Sequence, residues 1–196
     1  MKKDSISLAG AMQDFSRRQF IKQGLCATAV VALPFSQVAF PQAAWGATPV
    51  KELAFYNLHT EEKLRLAFCE HGRYIPAALD EINYFLRDYR TGDIQKMDPA
   101  LFDQLHALQQ KVETPGAFHV ISGYRSPKTN QALADHSDGV AKHSLHMEGR
   151  AIDIRLPGKD LSLLHKAALD MGAGGVGYYP QSDFIHLDTG RARFWG

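Results

Sequence analysis

Apolar residues fall at nearly alternate positions from Glu52 to His59 and again from Glu62 to Cys69, with a short polar link between the two runs. Alternation of that kind is the mark of half-buried strands, and the close spacing predicts a hairpin. At Pro76 the period changes. Ala77, Leu79, Ile82, Phe85 and Leu86 recur at three- and four-residue steps toward Tyr89, which predicts a helix opening on a proline. Asp98 then precedes Pro99 as an N-cap, and Leu101, Leu105 and Leu108 mark the buried stripe of a second helix. Phe118–Ser122 reads as a strand, Gly123–Pro127 as the loop leaving it, Lys128–Ala134 as a short helix, and 151–154 as a strand after a further loop. Leu161–Met171 has the pattern of a last helix ended by Gly172. Val176–Tyr179 and Phe184–Asp188 are strands that can pair across residues 180–183. Short strands in hairpins, interleaved with helices, predict an α+β fold: a single domain with a small antiparallel sheet flanked by helices.

The first 46 residues stand apart from this pattern. Arg17 and Arg18 lie directly before an apolar run that is too short, and too interrupted by Pro34 and Pro41, to span a bilayer as a helix. Adjacent arginines in that position are the arrangement of a twin-arginine signal peptide, and Ala44 and Gly46 supply the small residues of a cleavage site. Residues 1–46 are thus expected to be a signal that engages the twin-arginine export machinery, and residues 47–196 the mature domain in the periplasm. Leu25 before Cys26 does not suit lipid attachment, so no stable membrane anchor is expected after cleavage.

The whole chain has 22 basic and 21 acidic side chains, which provides no field for nucleic acid or an anionic membrane surface. Losing Lys2, Lys3, Arg17, Arg18 and Lys22 with Asp4 and Asp14 would leave the mature part slightly acidic. It would keep Cys69 as its sole cysteine, and so no internal disulfide, together with all nine histidines. Those histidines carry the chemistry. A catalytic zinc site takes three protein ligands, commonly His nitrogen and carboxylate oxygen, and leaves a fourth position for water. Residues 144–153 contain His146 and Asp153, and the strand at 184–188 contains His186 and Asp188.

Ser144-x-His146-x-x-Gly149-x-Ala151-x-Asp153, followed by a strand with His186-x-Asp188, resembles the zinc signature of D-Ala-D-Ala carboxypeptidases and murein endopeptidases, whose fold is shared with the hedgehog signalling domain. The stretches Leu53–His59, Ser122–Pro127, Gly175–Tyr179 and His186–Gly190 are similar more closely to the MepK (YcbK-like) murein endopeptidases, over essentially the whole mature chain. The resemblance implies one Zn²⁺ per chain held by His146, Asp153 and His186, with Asp188 orienting His186 on the same strand face. It implies that Arg125, in the loop after a strand, binds a substrate carboxylate or the oxyanion of the reaction. For the general base it leaves two candidates: Asp183, three residues before His186, and His143, three before His146. The implied activity is hydrolysis of peptidoglycan peptide crosslinks, between diaminopimelate residues. A D-Ala-D-Ala carboxypeptidase and a non-catalytic zinc-containing peptidoglycan-binding module are the alternatives.

Overall fold

The computed structural model describes residues 50–136 and 141–196. The export segment read from residues 1–46 lies outside them. The elements run β1 (Lys51–Asn57), β2 (Lys63–Glu70), β3 (Arg73–Tyr74), α1 (Pro76–Phe85), α2 (Pro99–Lys111), β4 (Phe118–Ser122), α3 (Pro127–Ala134), β5 (Ala151–Arg155), α4 (Leu161–Met171), β6 (Gly175–Tyr179), β7 (Phe184–Asp188) and β8 (Arg193–Trp195). The predicted hairpin is β1–β2, and the predicted pairing across residues 180–183 is β6–β7, both antiparallel.

All eight strands join one sheet in the order β3-β2-β1-β4-β5-β7-β6-β8. The α+β class holds, but the sheet is neither small nor wholly antiparallel: β1 pairs with β4, and β6 with β8, in parallel. Neither parallel pair joins consecutive strands, and so neither leaves a hairpin signal in the chain. Helix α1 stops at Phe85, short of Tyr89, because Leu86 already lies outside helical geometry and its amide closes the last turn onto Ile82. Tyr89 is used instead in a stack with His59, with ring centroids 3.9 Å apart.

Strand parity divides the sheet into two faces. Leu53, Phe55, Phe118, Val120, Ile152, Ile154, Ile185 and Leu187 all point to one face and are buried there under α1, α2 and α4. Burying each such side chain contributes roughly 1.5–3 kcal/mol before entropy is charged against it. The alternate residues Asp153, His186 and Asp188 therefore point to the other face, whose chemistry is polar. Asp98 caps α2 as predicted, accepting from the Ala100 amide at 3.0 Å. Its second oxygen accepts from Thr189 Oγ at 2.7 Å, and its amide donates to Gly149 O at 2.8 Å, so the helix start is tied to both segments that carry the polar cluster. Asp88 does the same for α3. It accepts from the Ser126 amide (2.9 Å) and hydroxyl (2.7 Å), and although burial alone would raise its carboxyl, hydrogen bonds from Thr129, Ser126 and the Arg90 amide hold it at about 2. Cys69 is buried and unpaired. Among the described residues no helix is long and apolar enough to cross a membrane.

Candidate metal centre and its pocket

Antiparallel pairing sets Asp153 of β5 directly beside His186 of β7. Residues opposed in this way bring their side chains within contact on one face. His146 comes from a 3₁₀ turn, Leu145–Glu148, that precedes β5. Ser144 caps the turn by accepting from the His146 amide (3.3 Å), and Gly149 ends it with φ +69°. A side chain at Gly149 would be strained in that conformation and its Cβ would collide with the Lys96 carbonyl, which is why the chain turns there on glycine.

Three ligand-type atoms converge. His146 Nε2 lies 3.2 Å from Asp153 Oδ1 and 3.2 Å from His186 Nδ1, and His186 Nδ1 lies 2.9 Å from Asp153 Oδ1. The outer nitrogen of each imidazole is already committed: His146 Nδ1 donates to Gly123 O at 2.7 Å, and His186 Nε2 donates to Asp188 Oδ2 at 3.1 Å. With both N–H groups directed outward, the inner nitrogens present lone pairs to each other and to a carboxylate oxygen. Three buried acceptors at these distances repel unless a cation lies among them. The separations suit one, since ligands about 2.0–2.1 Å from a tetrahedral zinc stand about 3.3–3.4 Å apart. Two imidazoles, each backed by a hydrogen-bond partner, and one carboxylate form a donor set of the kind that suits a catalytic zinc ion.

In metal-free protein a proton serves in place of that cation. Burial opposes charge on His186, but its hydrogen bonds to the Asp153 and Asp188 carboxylates outweigh this and pull the imidazole up to about 9. Burial likewise would raise Asp153, yet the charge and hydrogen bonds of His146 and His186 hold it well below the usual carboxylate range. Asp188, 0 % exposed, accepts from the amides of Gly175 (3.0 Å) and Gly190 (2.8 Å) and from both terminal nitrogens of Arg193 (3.0 and 2.7 Å). Those donors also keep it ionised and aimed at His186.

Arg125 is brought to the cluster. Its amide donates to the His146 carbonyl at 3.2 Å, and its side chain is 12 % exposed with Nη2 3.5 Å from Asp153 Oδ2. Its other contacts are long, 3.4 Å to Ser122 Oγ and 3.4 Å to Asn130 Oδ1, and Nε has no partner. Burial lowers its pKa, but a guanidinium still stays charged. The result is a buried cation with unused donors beside the three converging side chains.

Asp183 is not brought to the cluster. It sits at the end of a short 3₁₀ turn with φ +53°, its side chain is 61 % exposed, and its carboxylate accepts from Arg155 at 2.9 Å. The other base candidate, His143, lines the same pocket as His146, Asp153 and His186, a cavity of about 480 Å³. Sequence reasoning missed Arg193, Trp195 and the pocket role of Tyr179 and Phe184. Arg193 and Trp195 lie on the three-residue β8, and strands that short carry no periodicity to find them by.

Residues 46–195 match the family model described as peptidoglycan L,D-endopeptidase MepK. The peptidoglycan L,D-endopeptidase MepK of Escherichia coli K12 is 45 % identical over 183 residues, 93 % of this chain and 98 % of that one. A Haemophilus influenzae protein described as a probable peptidoglycan L,D-endopeptidase MepK is 39 % identical over 184 residues, 93 % and 96 % of the two chains. A match along nearly the whole length, converging on a centre of two imidazoles and a carboxylate, makes this chain a member of the MepK family of peptidoglycan endopeptidases.

Proposed function

We propose that this protein is a periplasmic, zinc-dependent murein endopeptidase that hydrolyses L,D peptide crosslinks between diaminopimelate residues of peptidoglycan. The observation that carries the reading is the set of inward lone pairs on His146, Asp153 and His186 at the floor of an open pocket, with Arg125 beside them. A zinc ion held by these three would supply a Lewis acid and a water acidified toward neutrality. The chain's own groups do the rest. Gly123 O and Asp188 fix the two imidazole tautomers, and Arg125 offers its free donors to negative charge developing on the scissile carbonyl oxygen. Digestion of purified sacculi, with muropeptide products separated and identified, tests the assignment. Loss of diaminopimelate-crosslinked dimers, blocked by chelator, is the expected result; release of terminal D-Ala alone would make the protein a carboxypeptidase, and no release a binding module.

Two residues compete for the general base. Pocket lining favours His143, and the three-residue approach to His186 favours Asp183. Alanine at the true base leaves zinc content at wild-type level and lowers turnover by about 10²–10⁴-fold, whereas alanine at the other leaves turnover within a few-fold. Single-turnover rates of the two variants beside zinc analysis decide between them. If Asp183 is the base, it has to leave Arg155 to act, and Arg155→Ala then alters the rate as well.

For the segment outside the described residues we propose export by the twin-arginine route. Lysine at both Arg17 and Arg18 is expected to hold the precursor in the cytoplasm, as read by fractionation and immunoblot. Undiminished mature protein in the periplasm from that variant would refute the route while leaving the peptidase reading intact.

A further inference from the structure

One cross-strand row runs through the centre. Ser122, Asp153, His186, Gly177 and Trp195 are successive register partners on β4, β5, β7, β6 and β8. Gly177 leaves a gap in that row, and Trp195 fills it: a Cβ on Gly177 would lie 2.7–2.8 Å from three atoms of the indole. Lying over the glycine, the indole reaches to 5.2 Å from the His186 ring. Its N–H donates to Tyr179 Oη at 2.9 Å, and Tyr179 in turn stacks on its own register partner Phe184, centroids 4.5 Å apart. The three rings are half-buried and line the pocket beside the metal ligands.

These rings are arranged for contact with carbon. The indole donor is spent on Tyr179, the indole is held in place by that bond, and Phe184 has no polar atom to offer. What they present to the pocket is a largely apolar wall, with the polar groups of Arg125, Asp153 and His186 set next to it and Arg193 5.0 Å from the indole centroid. A ligand that fits such a site has a flexible aliphatic chain next to an amide and a carboxylate. We propose that Trp195, Tyr179 and Phe184 form a specificity subsite for the methylene chain of the diamino acid at the crosslink, which seats the adjoining peptide carbonyl over the metal centre. This rests on the endopeptidase reading and adds to it the part of the substrate that is recognised and the residues that recognise it.

The test uses two synthetic crosslinked dimers, one joined through diaminopimelate and one through 2,5-diaminoadipate, which keeps both amino-acid ends but has one methylene fewer. Wild type is expected to favour the longer chain. Trp195→Ala is expected to raise KM for the longer substrate by about tenfold, the scale of losing contact with one or two methylenes, with kcat changed little, and to erase the preference. Gly177→Ala, which keeps all three rings but displaces the indole, is expected to act in the same direction. Zinc affinity of both variants should equal that of wild type. A fall in zinc affinity, or an equal loss on both substrates, would show that Trp195 only props His186 and would overturn the subsite. Failure of wild type to cleave either dimer would instead overturn the endopeptidase reading, and the subsite with it.

Discussion

Replacing His186 with Ala is expected to remove the bound zinc, the peptidase activity and a measurable part of the stability together. The residue supplies one of the three inward-facing atoms of the proposed zinc site, with its Nδ1 2.9 Å from Asp153 Oδ1 and its Nε2 bonded to fully buried Asp188. Two ligands from one short segment, His146 and Asp153, cannot enclose an ion as three can, so occupancy falls at micromolar zinc. A metal present at a thousand times its dissociation constant stabilises the fold by about 4 kcal/mol, and in a domain of about 150 residues each kcal/mol moves Tm by roughly 2–4 °C. A drop of about 10 °C is therefore expected relative to zinc-loaded wild type. Chelated wild type separates the causes, since it lacks metal but keeps the imidazole between Asp153 and Asp188. It should melt above the variant, where the two buried carboxylates have lost their shared partner. Wild-type zinc content in the variant, by metal analysis after dialysis, would show that the centre is assigned to the wrong residues.

The convergence of His146, Asp153 and His186 could be read from the chain because their spacing is tied to local geometry. Ser144 and Gly149 bracket a turn that only a cap and a left-handed residue make, and Asp153 follows within one strand step of the core residues Ile152 and Ile154. The same holds for α2, whose start Asp98-Pro99 is a local signal, and for the two hairpins. The unread features depend on contacts between distant segments. Pairing of β1 with β4 and of β6 with β8 is settled by which edges meet once α1, α2 and α4 cover one face, and nothing within any one strand records it. Arg193 is the clearest case. As sequence it is one of two arginines near the end of the chain, yet in the fold it neutralises Asp188, the carboxylate that orients His186. At Asp183 the signal is ambiguous for a physical reason: a spacing that suggests the base also suits a turn, and the turn places its carboxylate on Arg155.

Arg125→Ala is expected to lower kcat by about 10²–10³-fold, the usual cost of losing one donor to a developing oxyanion, while zinc content stays at wild-type level. The metal is spared because Arg125 meets Asp153 through Oδ2, whereas the oxygen facing the two imidazoles is Oδ1. Stability should hardly fall. A buried guanidinium whose nearest partners stand 3.4–3.5 Å away and whose Nε is unpaired recovers little of its desolvation cost, so its removal can be neutral or even stabilising. A group that contributes so little to the fold and remains buried beside a reactive centre is what a trade of stability for activity predicts. Lysine at this position separates charge from geometry: it restores a cation but not the planar fork, and is expected to recover only part of the rate. Thermal melts, zinc analysis and single-turnover rates on a diaminopimelate-crosslinked dimer read the three effects independently. A variant that melts far lower but cuts at the wild-type rate would reverse the assignment, making Arg125 a structural residue and leaving the developing charge to the metal alone.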